Sequence, residues 1–342
     1  MCDAGGVDGV EASFDAKLHQ RYFRKLLQGA PGSLQGLDSN RCTIAYFCVS
    51  GLDVLNALTG EDKEQVCGWM IRLLIDNEPG GFRGSTFFRS DADICKLWDL
   101  GHLAMSYTAL ATLVICDYNI QTLDRKGIQQ MVRNCQGEDG SFCAHHGGEA
   151  DLRFSYCAAA ICFMLGDFSC IDRERSASHI LSCQTYEGGF GLAPGLEAHG
   201  GSTYCAVAAL KLMGYLDTMD ASQRNNVVRW CLKRMVSESG GYQGRCNKVS
   251  DSCYSFWIGA SLDILGSAHF SDSSAIRRFL CKCENKTFGG FSKFPEATCD
   301  PLHTYLSLCG FSIAGDQEHL SQLYCPLGMS QRAYETLLRQ LA

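Results

Sequence analysis

Apolar residues recur along this chain in a helical rhythm. Asp151 to Leu165 is one such segment, rich in alanine and cysteine; Gly201 to Leu216 is another and Cys253 to Leu265 a third. Gln223 to Met235 reads as an amphipathic helix with Val227, Val228, Cys231 and Leu232 on one face. Alternating stretches are scarce, so few strands are predicted. Five glycine-then-aromatic marks punctuate the helical segments: Gly80-Gly81-Phe82, Gly140-Ser141-Phe142, Gly188-Gly189-Phe190, Gly240-Gly241-Tyr242 and Gly289-Gly290-Phe291. Their aromatics stand 60, 48, 52 and 49 residues apart. A period near 50 means one unit, here a pair of helices, copied along the chain. No single unit can bury its own apolar face, so the copies must stack or close on one another. The glycines suit loops that need positive φ or close backbone approach. The aromatic after them is expected to plug the gap between neighbouring units.

The fold expected is all-α, built of helical hairpins. Small residues at Ala158, Ala159, Ala160, Ala206, Ala208 and Ala209 permit an inner layer of closely packed helices. That favours an α/α toroid of about six hairpins around an apolar funnel. An open solenoid satisfies the same periodicity. The repeat argues for a single barrel domain over residues 18–342, preceded by a tail at 1–17. Residues 315–330 look irregular.

Composition narrows the setting. There are 21 cysteines with no C-x-x-C pair, many inside apolar stretches, as at Cys157, Cys162, Cys205 and Cys309. They read as small buried hydrophobes in a reducing compartment. Met1 to Gln20 carries acids and no apolar core, so no signal peptide is expected. The longest uncharged run, Leu100 to Cys116, is too short and too polar for a membrane span. The expected location is cytoplasmic. A net charge of −7 argues against nucleic acid as the main partner.

Asp251-Ser252-Cys253 sets a carboxylate and a thiol two residues apart. Asp93-Ile94-Cys95 repeats that spacing, so the spacing alone decides little. His303 lies 50 residues beyond Cys253, one repeat on, at a comparable point after its own glycine–aromatic mark. Adjacent repeats place such positions side by side. Asp251, Cys253 and His303 would then offer three ligands and leave a fourth position open, as at a catalytic zinc. Two helix-capping groups and a core histidine are the other explanation. His199, Arg245, Lys248 and Tyr254 form a second constellation, either an anion pocket or solvated loop charges. His145 and His146 could bind a second metal or simply lie in a solvated loop.

The run Gly244-Arg245-Cys246-Asn247-Lys248-Val249-Ser250-Asp251-Ser252-Cys253-Tyr254-Ser255-Phe256-Trp257 is highly specific. With Arg153 to Cys157, Leu196 to Cys205 and Asp300-Pro301-Leu302-His303, it resembles the β subunits of the protein prenyltransferases. The type I geranylgeranyl branch is most similar. The resemblance runs from about Leu18 to Leu338. It implies a catalytic zinc on Asp251, Cys253 and His303, and a heterodimer with a helical-repeat α subunit. It implies geranylgeranyl diphosphate as donor and the cysteine of C-a-a-X proteins, such as small GTPases, as acceptor. His199, Arg245, Lys248 and Tyr254 would hold the diphosphate; Arg153, Tyr156 and Trp257 would line the lipid funnel. Each pair Arg153/Tyr156 and Tyr254/Trp257 is spaced i, i+3 and shares a helix face.

Four positions bear on the branch. Thr43 stands where farnesyl enzymes carry tryptophan, leaving room for a 20-carbon lipid. Phe47 and Leu302 would favour a terminal leucine in the acceptor. Lys293 replaces a magnesium-assisting aspartate of the farnesyl and Rab-type enzymes, so magnesium is not expected to be required. A farnesyl β subunit and a non-enzymatic α-solenoid scaffold are the alternatives. A triterpene-cyclase barrel is disfavoured, because Asp91-Ala92-Asp93 is too short for its acidic cluster.

Overall fold

The computed structural model describes residues 14–29, 31–76, 79–86 and 100–342. The acidic and thiol positions at 91–95 lie outside that set. Thirteen α-helices occur among the described residues, and twelve of them form six hairpins. The outer helices are α1 (Ala16–Gln28), α3 (Gly60–Ile71), α5 (Arg125–Asn134), α7 (Arg173–Ser182), α9 (Ala221–Leu232) and α11 (Ser273–Cys283). The inner ones are α2 (Arg41–Val54), α4 (Leu103–Ile115), α6 (Leu152–Leu165), α8 (Gly200–Met213), α10 (Tyr254–Ile264) and α12 (Pro301–Ile313). α1 takes in Ala16 and Lys17, which fall within the segment 1–17. α9 ends at Leu232, short of Met235, because the next residues turn into a hairpin in which Met235 pairs with Tyr242.

The inner helices are apolar all round because both faces are covered. α4 is buried from Ser106 to Ile115, which explains the charge-free run around it. No helix among the described residues is long and apolar enough to cross a membrane. Each inner helix packs on the next, and α12 packs back on α2. The array is therefore a closed toroid and not an open solenoid.

Each glycine–aromatic mark closes a tight hairpin behind an outer helix, pairing Leu74 with Phe82, Gln136 with Phe142, Gln184 with Phe190 and Glu284 with Phe291. The five aromatics are 0–1% exposed, so each is a plug. Burying each contributes on the order of 2 kcal/mol. The glycines serve the joint between repeats. At Gly188 (φ 107°), a Cβ would stand 2.5 Å from the Asn226 carbonyl oxygen on α9. At Gly289 (φ 77°), it would stand 2.5 Å from that of Leu18 on α1. The second joint is the seam of the ring, where the last repeat meets the first helix. There the Gly290 N–H donates to buried His19 Nδ1 (2.9 Å), and His19 Nε2 bonds the Glu284 carboxylate (3.2 Å).

Residues 315–330 are irregular as expected, with a two-residue hairpin of β1 (Leu323–Tyr324) and β2 (Met329–Ser330). The turn between these strands inserts into the toroid. Tyr107 donates to the Leu327 carbonyl (2.9 Å), Tyr204 to that of Cys325 (2.9 Å), and Tyr46 and Tyr305 to that of Gly328. Tyr156 joins this girdle through Tyr107 (3.0 Å) and Tyr204 (3.2 Å). α13 (Gln331–Leu341) then ties down through Arg332, which bonds Asp53 (2.8 Å) and Asp117 (2.6 Å). The cysteines among the described residues are all free thiols, mostly buried.

Candidate active site

The inner helices begin at one rim. The N–H groups of His102, Asp151, His199, Asp251 and Asp300 each donate to the carbonyl of their own repeat's aromatic, from Phe82 to Phe291. The next residue in four of these repeats, Leu103, Leu152, Gly200 and Ser252, donates to the following repeat, at Ala144, Leu192, Gly244 and Lys293. This double stitching sets the helix N-termini side by side around one mouth. Their positive dipole ends favour anions there.

Repeat geometry brings Asp251, Cys253 and His303 together, with their ligand atoms all within 4.8 Å of one another. Among the described residues they form the one such metal-competent group. His303 Nδ1 donates to Asp300 (2.6 Å), which leaves Nε2 facing Asp251 Oδ1 at 3.3 Å. The Cys253 N–H donates to Asp251 Oδ1 (3.0 Å), and the Ser252 hydroxyl donates to the Ser292 carbonyl (2.7 Å), fixing the turn. Carboxylate, thiol and imidazole, with a second carboxylate orienting the imidazole, make a donor set suited to a divalent transition metal.

Electrostatics agree. Burial pushes the Cys253 thiol well above its ordinary range, and the Asp251 charge pushes the same way. Burial disfavours the His303 imidazolium, but Asp251 and Asp300 outweigh it and hold His303 up at about 9. Burial raises the Asp251 carboxyl, but bonds from His303 and Cys253 bring it below its usual value. A cation at the centre would reverse the pressure on the thiol.

Asp300 was not singled out in the sequence, although its i, i+3 spacing to His303 was a usable signal. Asp300→Asn should weaken metal binding by about 10- to 100-fold. Competition between the protein and a chelating dye for zinc measures this; unchanged affinity would remove Asp300 from the site.

Beside the triad lies a cavity of about 570 Å³ lined by Arg153, Leu196, Glu197, His199, Arg245 and Trp257, among others. The Gly201 N–H donates to His199 Nδ1 (3.0 Å), so the proton of a neutral ring sits on Nε2. Burial, then Arg245, keeps that ring neutral. His199 Nε2 therefore donates to the Tyr254 oxygen (2.8 Å), and the Tyr254 hydroxyl proton remains available. Arg245 is held by Glu197 at 2.7 Å. Lys248 is exposed on the same loop, and Lys293 Nζ stands 3.6 Å from Asp251 Oδ2.

The remaining candidates are dispersed. Tyr156 is buried in the girdle and does not line this cavity. Thr43 meets Met105 of α4, Oγ1 to Sδ at 3.4 Å. Phe47 packs toward Tyr305, ring centroids 6.0 Å apart, and Leu302 is partly buried beside His303. Met105 and Glu197 were missed; neither residue type marks a site without its neighbour in space. His145 and His146 each bond a backbone carbonyl in an exposed loop.

The prenyltransferase alpha-alpha toroid domain family matches residues 14–329. The chain belongs to this family. It is 42% identical over 340 residues to the geranylgeranyl transferase type-1 subunit beta of Arabidopsis thaliana, covering 93% of this chain and 89% of that one. It is 33% identical to the subunit of that name from Dictyostelium discoideum, covering 92% and 94%. A solved Candida albicans protein geranylgeranyltransferase-I, complexed with GGPP, superposes with a TM-score of 0.88 at 28% identity, covering 96% of this chain and all of that one. The prenyltransferase toroid thus accounts for nearly the whole of the described ring.

Proposed function

We propose that this chain is the catalytic β subunit of a zinc-dependent type I protein geranylgeranyltransferase. It would work beside a prenyltransferase α subunit, taking geranylgeranyl diphosphate and the cysteine of C-a-a-X proteins, X often leucine. The observation that carries this proposal is the triad of Asp251, Cys253 and His303. Tyr254, next after Cys253 along the chain, bonds His199 of the cavity that Arg153, Arg245 and Trp257 also line. The relatives of that name and the structure holding GGPP support the same proposal.

Asp251, Cys253 and His303 would hold the zinc, and Asp300 would orient the histidine. When bound, zinc supplies a positive charge that favours the anionic form of an incoming thiol. The protein's own groups serve the other end of the reaction. As the bond from C1 to the diphosphate breaks, charge grows on the departing oxygens. The Tyr254 proton and the Arg245 and Lys248 cations would stabilise it there. Arg245 must exchange Glu197 for phosphate oxygens as the donor binds. The helix N-termini at the rim add to the same field. Inside, apolar walls hold the lipid at about 0.8 kcal/mol per buried CH₂.

The test is transfer by the heterodimer, using both lipid donors and peptides ending in Leu or Ser. The 20-carbon donor with the Leu peptide should win by at least about tenfold in kcat/KM. Activity should persist in magnesium-free buffer, with Lys293 supplying the local positive charge. Preference for the 15-carbon donor, or collapse on removing magnesium with zinc retained, would defeat the assignment.

Thr43→Trp tests the length gauge. The indole would displace Met105 and shorten the lipid space. The ratio of kcat/KM values should shift toward the 15-carbon donor by about 100-fold. An unchanged ratio would remove Thr43 from the argument.

A further inference from the structure

The loop that carries Arg245 and Lys248 also carries a thiol, Cys246, between them. Cys246 is only half-buried. Arg234 Nη1 donates to its Sγ at 2.8 Å. Arg234 itself is 6% exposed, and its guanidinium carbon lies 4.7 Å from the Trp230 ring centroid. Its Nε has no hydrogen-bond partner, and no ion pair to it occurs among the described residues. A buried guanidinium without a carboxylate is a standing demand for negative charge. The nearest atom that chemistry can make anionic is the Cys246 sulfur.

We propose that Cys246 is an oxidative modification site, converted by hydroperoxides to a sulfenate that Arg234 holds and that obstructs diphosphate binding. The sulfur attacks one peroxide oxygen; an S–O bond forms and the O–O bond breaks. Sulfur gives up two electrons, the peroxide is reduced, and its second oxygen leaves with the thiol proton, as water from hydrogen peroxide or as the alcohol from an organic hydroperoxide. The product is a sulfenic acid, reversible by thiols. Cys246 lies between Arg245 and Lys248 along the chain, so an oxygen added there would disturb the loop that carries both cations, and substrate and oxidant would compete. The second half of this inference rests on the diphosphate pocket proposed above; the first half does not.

The experiment traps sulfenic acid with dimedone on the peroxide-treated heterodimer and quantifies each cysteine by mass spectrometry. Cys246 should be trapped at least about five times faster than Cys143 and Cys299, which are also partly exposed. Arg234→Lys should keep most of that preference and Arg234→Gln should erase it. Inorganic pyrophosphate should slow trapping at Cys246 by at least about threefold. Peroxide should weaken donor binding in the unmutated protein, reversibly by dithiothreitol, and leave Cys246→Ser unaffected. Equal trapping of the three cysteines overturns the proposal, as does peroxide inhibition that persists in Cys246→Ser. Calorimetry with pyrophosphate on untreated protein separates the two ideas. No binding there defeats the pocket, while the trapping preference still judges the thiol.

Discussion

Cys253→Ser is expected to strip the heterodimer of tightly held zinc and slow prenyl transfer by roughly 1,000-fold, a loss of about 4 kcal/mol. A hydroxyl cannot become an anionic ligand near neutral pH, and the remaining carboxylate and imidazole make an incomplete set. Metal analysis of the purified protein and single-turnover transfer measure the two effects. Full zinc content with normal transfer would end the case for this triad. The same site predicts a pH dependence. Burial and Asp251 keep the Cys253 thiol protonated without metal. His303, despite burial, is held protonated up to about 9 by Asp251 and Asp300. Both protons must leave when a cation takes Sγ and Nε2. Zinc affinity should therefore rise with pH, by about two log units per pH unit between roughly 6 and 8. Calorimetry in buffers of different ionisation enthalpy counts the protons; release near zero would contradict the geometry.

The other large effect concerns the ring itself. Gly188→Ala should destabilise the fold by about 3 kcal/mol or more, because its methyl meets the Asn226 carbonyl oxygen at 2.5 Å. The backbone can relieve that clash only by opening the joint between two repeats. Gly214→Ala is the control. It also has positive φ, 81°, but nothing lies within 4 Å of its Cβ position. It should cost only the conformational strain, about 1 kcal/mol. Denaturant unfolding of both variants decides. Equal losses would mean that strain alone, and not close approach, requires glycine at 188.

The repeat period carried much of this architecture into view. A 50-residue offset placed His303 beside Cys253, and the glycine–aromatic marks located every joint described. The period alone did not decide closure, since it says nothing of whether the last unit meets the first; the small residues of the inner helices favoured a toroid, and contacts such as Gly289 with Leu18 close it. The tyrosine girdle was legible but unread: Tyr46, Tyr107, Tyr156, Tyr204 and Tyr305 follow the same period. Arg245 and Glu197 stand 48 residues apart, one repeat, so their pairing follows the period. Arg234 with Cys246, 12 residues apart, leaves no trace in it. This second contact depends on how the loop after Tyr242 folds back on the end of α9 within one repeat.

The seam at His19 and Glu284 orders events during synthesis. The first helix leaves the ribosome more than 250 residues before its partners do. Until then the nascent chain can be only an open crescent with its apolar lining wet. A message truncated before Gly328 would also leave several phenols without acceptors, so quality control should recognise such fragments by their exposed interior.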